Sequence, residues 1–121
     1  MPFDIFREEH GSYKKFSGFI TAAEFLQSIF ENQSHVDYAH LTYTINDFLG
    51  VRGHSIGHSN VALASLIGLK AKTVNPSIVV AVVSTDPDIL DLVKIFSEKT
   101  NYKLECFSSV EDARRWVASG A

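Results

Sequence analysis

The spacing of apolar and polar residues changes along the chain in a way that predicts alternating strands and helices. Two stretches with strand-like alternation, residues 3–9 and 13–20, flank Gly11 and predict a β-hairpin. Thr21 and Glu24 have the spacing of a capping box, and the apolar residues after them recur every three to four positions. A helix is therefore expected directly after the hairpin.

The remainder of the chain repeats a strand followed by a helix three times. Strands are expected at 41–45, 78–83 and 102–107, and the middle one is an unbroken apolar run, typical of a central parallel strand. Helices are expected at about 61–74, after Asp86–Pro87 and after the capping pair Ser108 and Glu111. The element order ββαβαβαβα predicts an α/β fold with a mixed five-stranded sheet, whose opening hairpin is the antiparallel edge.

Composition favours a single folded domain over residues 1–121. The chain is 45% hydrophobic and 21% charged with only three prolines, which is ordinary for a globular protein. Its net charge is −3 and its basic residues cluster no further than pairs, so the electrostatic footprint of a nucleic-acid binder is missing. The sequence shows neither a signal peptide nor an apolar run of about 20 residues, so we expect no membrane span and a cytoplasmic location.

The single cysteine, Cys106, lies within the apolar segment 102–107. This position predicts a buried structural thiol rather than a nucleophile. With one cysteine, a disulfide within the chain is excluded.

The end of the chain carries a family resemblance. Residues 106–117 read CFSSVEDARRWV, and the central strand reads IVVAVV. Together with the element order, these features resemble the SpoIIAA-like branch of the STAS domains, in which the tail typically shows phenylalanine, a short turn, acidic residues, alanine and tryptophan. The resemblance covers nearly the whole chain. It implies the STAS fold and a protein-binding regulatory role like that of the bacterial anti-sigma-factor antagonists.

In that family a phosphorylatable serine stands at the start of the helix after the third strand, commonly in an Asp-Ser-Ser-Gly-like motif. This chain departs from the motif, since Ser55 and Ser59 are the only serines in the corresponding region. Phosphate at a helix N-terminus meets free backbone N–H groups and a favourable dipole, and Ser59 suits that geometry better. The alternative is that Ser59 or Asn60 simply caps the helix.

The glycine-rich segment 46–58 is expected to be a functional loop. Together with the turns at 84–86 and 108–109, it should lie at the carboxyl ends of the parallel strands, where ligands usually bind in open α/β sheets. The candidate residues for binding a ligand or partner there are Asp47, Phe48, His54, Ser55, Ile56, His58, Ser59, Asn60 and Thr85.

Two chemical alternatives at this loop are weak. His54 and His58 have the four-residue spacing of a metal pair, but no cysteine lies nearby and a third ligand would have to be distant, so we expect no metal and no cofactor. Asp47 lacks the companions of a receiver-domain phospho-acceptor and is expected to accept backbone N–H bonds instead.

Three functional classes can be compared. Ser55, His58 and Asp47 could be combined into a hydrolytic triad, but the sequence has no nucleophile-elbow pattern. An alternative is a site for a small apolar ligand or lipid, because Phe48, Leu49 and Ile56 fall in the expected loop and would form a surface apolar cluster. We therefore expect a non-catalytic regulatory module that binds a protein partner, with an edge strand or exposed helix available for homodimer formation.

Overall fold

The computed structural model describes residues 2–120 and contains one mixed sheet of five strands. The strands are β1 (Phe3–Arg7), β2 (Gly11–Ile20), β3 (Tyr43–His54), β4 (Val79–Val83) and β5 (Lys103–Phe107). The α-helices are α1 (Ala22–Gln33), α2 (His58–Val74), α3 (Pro87–Thr100) and α4 (Val110–Ala118), and a short 3-10 turn spans Tyr38–His40.

The strands are neighbours in chain order, β1-β2-β3-β4-β5. β1 and β2 pair antiparallel, whereas the other three pairs are parallel. Each parallel pair is joined by a helix, as a crossover connection requires. The predicted α/β class, the element order and the antiparallel hairpin are confirmed.

Helices cover both faces of the sheet, but unequally. α1, α2 and α3 pack on one face, which we call the three-helix face, and their core includes Phe16, Phe48 and Val82. α4 alone packs on the opposite face, the α4 face, where Ala113 contacts the buried side of β4. Successive residues of a strand point to opposite faces of the sheet and therefore pack into two separate cores.

β3 is longer than predicted, and the expected loop over 46–58 is wrong for most of its length. The strand pairs with β2 from Tyr43 to His54, with two register shifts that accommodate extra residues as bulges. A Cβ atom on Gly50 would come within 3.1 Å of the carbonyl oxygen of Phe16, and one on Gly53 within 3.2 Å of the Phe19 ring. Both extra residues lie on β3, and the glycines thus permit close approach of the bulged β3 to β2 rather than forming a flexible loop.

Two helix starts also differ from prediction. α2 begins at His58, three residues earlier than expected, because Gly57 takes the N-cap position and its N–H donates to Asn60 Oδ1 at 2.7 Å. Ser59 and Asn60 are therefore inside the first turn and neither is the N-cap. α4 is capped by Ser109, not Ser108, through a bond from the Asp112 N–H. The predicted caps of α1 and α3 are confirmed.

Cys106 is exposed, which corrects the predicted buried thiol. β5 is an edge strand, and the helical cover that reaches Leu104 leaves Cys106 open to solvent. Partial burial and the neighbouring Glu105 carboxylate raise the pKa of the thiol, which disfavours the reactive thiolate.

The terminal motif is explained by packing on the α4 face. Ala113 is fully buried against Ile45, Ala81 and Val83, where a larger side chain would not fit between helix and sheet. The Trp116 ring lies 5.6 Å from the ring of Phe107, the last residue of β5. The alanine and the two aromatic residues therefore dock α4 onto the sheet.

Candidate functional site

The carboxyl ends of β2 and β3 lie side by side, because Ile20 pairs with His54. The chain then turns through Ser55–Gly57 into α2, and we call residues 54–60 the β3–α2 corner. β4 ends much earlier, since its last residue, Val83, pairs with Asp47. The corner thus projects beyond the end of β4, close to the start of α3.

His54 connects the β3–α2 corner to α3. Its Nε2 lies 2.6 Å from Asp88 Oδ2, in the first turn of α3, and its Nδ1 accepts the Ile56 N–H at 3.0 Å. Because Nδ1 accepts a hydrogen bond, the proton of the neutral ring lies on Nε2 and is donated to Asp88. The His54 side chain is only 10% exposed, so this bond fixes the ring at the edge of the core.

The two candidate serines occupy different helix N-termini. Ser55 Oγ accepts the Ala22 N–H at 3.0 Å, so this hydroxyl satisfies a free backbone donor of α1. Ser59 is exposed in the first turn of α2, next to the exposed His58. The β3–α2 corner therefore brings both serines to the positive ends of helices, where added negative charge is favourable.

Asp47 and Phe48 lie on opposite faces of β3, away from the corner. Asp47 is buried on the α4 face, where its carboxylate accepts the Tyr13 hydroxyl and the Leu49 N–H. It therefore accepts a backbone N–H, as expected, but within a strand rather than a loop. This carboxylate and burial together raise the pKa of Tyr13, with burial the larger cause.

Phe48 is a core residue, not part of a surface apolar cluster. It is 8% exposed and its ring stacks on Phe16 with the centroids 4.5 Å apart. Ile56 is half-buried against the same core, and of the three residues only Leu49 is substantially exposed. The predicted cluster fails because strand pairing turns Phe48 towards the three-helix face.

The turns after β4 and β5 lie in different surroundings. Thr85 is exposed in the turn after β4. The next residue, Asp86, caps α3, and Asp88 in that helix is the hydrogen-bond partner of His54. Ser108 and Ser109 lead instead into α4 on the opposite face of the sheet. The structure thus connects the 84–86 turn with the β3–α2 corner through α3, whereas the 108–109 turn serves the other face.

Solved structures of other proteins share this topology. The sequence matches no family model, and no curated protein is significantly similar to it. The anti-sigma factor antagonist SpoIIAA in its unphosphorylated form aligns with a TM-score of 0.67 at 11% identity, over 98% of this chain and 99% of that chain. The chain has the SpoIIAA-like fold.

Two further structures share it. An anti-sigma factor antagonist from Mycobacterium paratuberculosis aligns with a TM-score of 0.64 at 15% identity, over 96% of this chain and 92% of that chain. An uncharacterised protein with a SpoIIAA-like fold from Shewanella loihica aligns with a TM-score of 0.61 at 19% identity, over 95% of this chain and 91% of that chain. At these identities the similarities establish the fold alone, so function must be argued from the residues of this chain.

The two histidines of the β3–α2 corner belong to different secondary-structure elements. Within residues 2–120, no group of three or more His, Cys, Asp or Glu side chains is placed to hold a metal ion. His54 ends a strand and His58 begins a helix, so the two imidazoles do not share one helical face.

Within residues 2–120, no helix combines the length and apolar character that a membrane span requires.

α2 has an exposed apolar face that the sequence motifs did not predict. Leu63, Leu66 and Leu69 are 48%, 66% and 42% exposed, and their spacing of three places them along one side of the helix. The sequence of α2 does contain a signal for this face, because its residues are apolar almost all the way around the helix. A helix that is covered on one side needs only a stripe of apolar residues, so the remaining ones must be exposed. We call these three residues the leucine face.

Lys14 was also missed as a candidate. It is 4% exposed on β2 and points to the three-helix face, together with Phe16. Burial, with a smaller contribution from the positive charge of Arg7, lowers the pKa of its amine to about 7. The alternation of β2 could have revealed it, because residues 14 and 16 must share one face of a regular strand.

Proposed function

We propose that this domain is a non-catalytic regulatory module that binds a protein partner through the leucine face of α2 and the adjoining β3–α2 corner. The main support for this proposal is the exposure of the three leucines of the leucine face. Leu66 is 66% exposed although it belongs to a helix whose other side packs on the core. Contiguous apolar surface of this kind marks interaction sites on soluble proteins.

Charge around the leucine face indicates the chemistry of the partner. α2 contains no acidic residue, whereas it carries the exposed Lys70 and begins with the positive end of its dipole at the β3–α2 corner. A complementary surface would therefore be apolar at its centre and acidic at its rim. The two neighbours described as anti-sigma factor antagonists are consistent with a protein-binding role on this scaffold.

The hydrogen bonds of Asp47, Ser55 and His54 support a role without catalysis. Asp47 is held on the α4 face by Tyr13, and the Ser55 hydroxyl is engaged with the backbone of α1. Both ring nitrogens of His54 are used by Asp88 and Ile56. A serine hydrolase needs its base within hydrogen-bond reach of the nucleophile, and none of these bonds joins a histidine to a serine hydroxyl.

We expect Leu66→Glu to weaken binding of the partner at least about tenfold, because a charge at the centre of an apolar contact costs more than a typical interface truncation. The wild-type protein would be used as bait in a pull-down, and the captured partner would be titrated by calorimetry. Light scattering of each protein alone would report self-association, which is the homodimer that the sequence predicts.

Val36→Glu is the matched control, because Val36 is 91% exposed and lies outside α2. It should leave both partner capture and affinity unchanged. Equal capture by the wild type and by Leu66→Glu would refute binding through the leucine face.

A phosphorylated serine at the β3–α2 corner would act through the same surface. Ser59→Glu places a negative charge in the first turn of α2, where the dipole accepts it, so the stability should change by no more than about 1 kcal/mol. Partner affinity should fall about tenfold, because the added charge faces the acidic rim expected of the partner. Chemical denaturation and calorimetry measure the two effects separately.

Ser17→Glu adds the same charge at an exposed site on β2 and should not change affinity. Ser55→Glu tests the second serine, and there we expect lower stability as well, since its hydroxyl accepts the Ala22 N–H. If Ser59→Glu and Ser55→Glu both bind the partner as the wild type does, the corner is not a phosphorylation switch.

A further inference from the structure

A cavity of about 130 Å³ lies between the sheet and the three helices that cover it. Its wall is mainly apolar and includes Phe25 of α1, Val61 of α2, Phe96 of α3, and Val80 and Val82 of β4. An apolar cavity of about 150 Å³ in a protein core is large enough to bind benzene. The space here thus suits a small molecule with an apolar body.

Lys14 is the only lysine or arginine among the described residues that line this cavity. Its Nζ lies 5.7 Å from the centre of the Phe16 ring and forms no ion pair with a carboxylate in residues 2–120. In the same range, every side-chain nitrogen or oxygen sealed from solvent has a hydrogen-bond partner. Nζ forms none of these hydrogen bonds, and Lys14 lines the cavity, so its amine is available to pair with a group placed there.

The surroundings of Lys14 leave its positive charge uncompensated. Asn46 pairs with Lys14 across the sheet, and Asn32 and Thr44 also line the cavity; all three side chains are neutral, and Asn32 is already bound to Thr44 and to Arg7. Arg7 adds a second positive charge, and the carboxylate that acts on Arg7, Glu31, is exposed at the end of α1. A buried charge without a counter-charge is costly, so an anion in the cavity would be favourable.

We propose that this cavity binds a small monocarboxylate, whose apolar body fills the space under the three helices and whose carboxylate pairs with Lys14 Nζ. Charge-assisted hydrogen bonds of this type are about twice as strong as neutral ones. The site is separate from the leucine face, which lies on the exposed side of α2. This inference therefore does not depend on the proposed partner binding.

Benzoate and benzamide form a matched pair of probes, because both are planar and similar in size while only benzoate is charged. Titration into the wild-type protein, followed by ¹H–¹⁵N NMR, should show benzoate binding about tenfold or more tightly than benzamide. The shifted amides should cluster at cavity residues such as Phe48 and Val82. At pH 7, where about half of the Lys14 amines are neutral, calorimetry in two buffers should show uptake of up to about half a proton.

Lys14→Met should reduce benzoate affinity about tenfold or more while benzamide affinity stays within about twofold. Lys15→Met is the control, because Lys15 is the exposed neighbour on the other face of β2 and its replacement should change neither affinity. Dodecanoate distinguishes a lipid source from a small acid, and we expect it to bind more weakly than benzoate because the cavity is too small for its chain.

The proposal is overturned if benzoate binds no more tightly than benzamide, if the wild type binds neither, or if the preference for benzoate survives in Lys14→Met.

Discussion

Replacing Lys14 with methionine should raise the free energy of unfolding by about 3–5 kcal/mol at pH 6, and by only about 1 kcal/mol at pH 10. The amine is buried at 4% exposure, and burial, followed by the charge of Arg7, lowers its pKa to about 7 from the ordinary lysine value of 10.5. Methionine has a similar length and no charge, so it removes the cost of burying the ammonium group.

The direction in which stability changes with pH follows from proton binding by Lys14. Between pH 7 and 10.5 the unfolded chain holds the Lys14 proton and the folded chain releases it, so the wild type gains stability as the pH rises through this window. Below pH 7 the folded protein carries the buried charge and that stability is lost. Lys14→Met lacks this dependence, so the difference between the two proteins should be largest in acid and smallest in base.

Urea unfolding followed by circular dichroism at pH 6, 8 and 10 measures this effect. Tyr13 and Tyr102 have raised pKa values, but they are present in both proteins and cancel in the difference. Lys15→Met should change stability by less than about 0.5 kcal/mol at every pH, because Lys15 is exposed. A stability difference that is independent of pH would show that Lys14 is not buried as a titrating group.

Phe16→Ala should lower the free energy of unfolding by about 3–5 kcal/mol. Phe16 is fully buried at the centre of the three-helix core, between Phe3 at 6.1 Å and Phe48 at 4.5 Å, measured between ring centres. Truncation would remove both aromatic contacts and leave a void beside the existing cavity. The two strands and the helices around it are held by other contacts and cannot close this space without distortion.

Phe19→Ala provides the comparison, because Phe19 belongs to the same strand but is 59% exposed. Its loss should cost less than about 1 kcal/mol. Urea unfolding at one pH is sufficient for both variants. Similar losses for the two phenylalanines would contradict the assigned direction of the β2 side chains.

The folded architecture was largely predictable because it depends on local patterns. The capping pair Thr21 and Glu24 has both hydrogen bonds of a capping box, and Asp86 caps α3 just before a proline. The apolar run of β4 lies between β3 and β5 with helices on both faces, as a central parallel strand should. Each of these signals is complete within about six residues, so the sequence alone expresses it.

The candidate site was predicted less well, because it depends on pairing between distant segments. Gly50 and Gly53 favour a loop when they are considered locally, yet they lie in a strand paired with β2, where a Cβ atom would come within 3.1 and 3.2 Å of β2 atoms and neighbouring atoms would have to shift. The same pairing carries Phe48 into the core and Asp47 to the opposite face. The β3–α2 corner therefore contains the candidate residues from His54 to Asn60, whereas Asp47, Phe48 and Thr85 lie outside it.

The sequence by itself determined the fold class of this protein: an α/β fold whose strand and helix order resembles the STAS domains, without the serine motif of the anti-sigma-factor antagonists. Tertiary structure decided which residues face a partner or a cavity. The leucine face of α2 and the uncompensated amine of Lys14 both depend on what lies opposite each side chain. Local periodicity sets the direction of a side chain relative to its own strand or helix, but only packing between elements determines whether that direction ends in solvent, in a core or in a cavity.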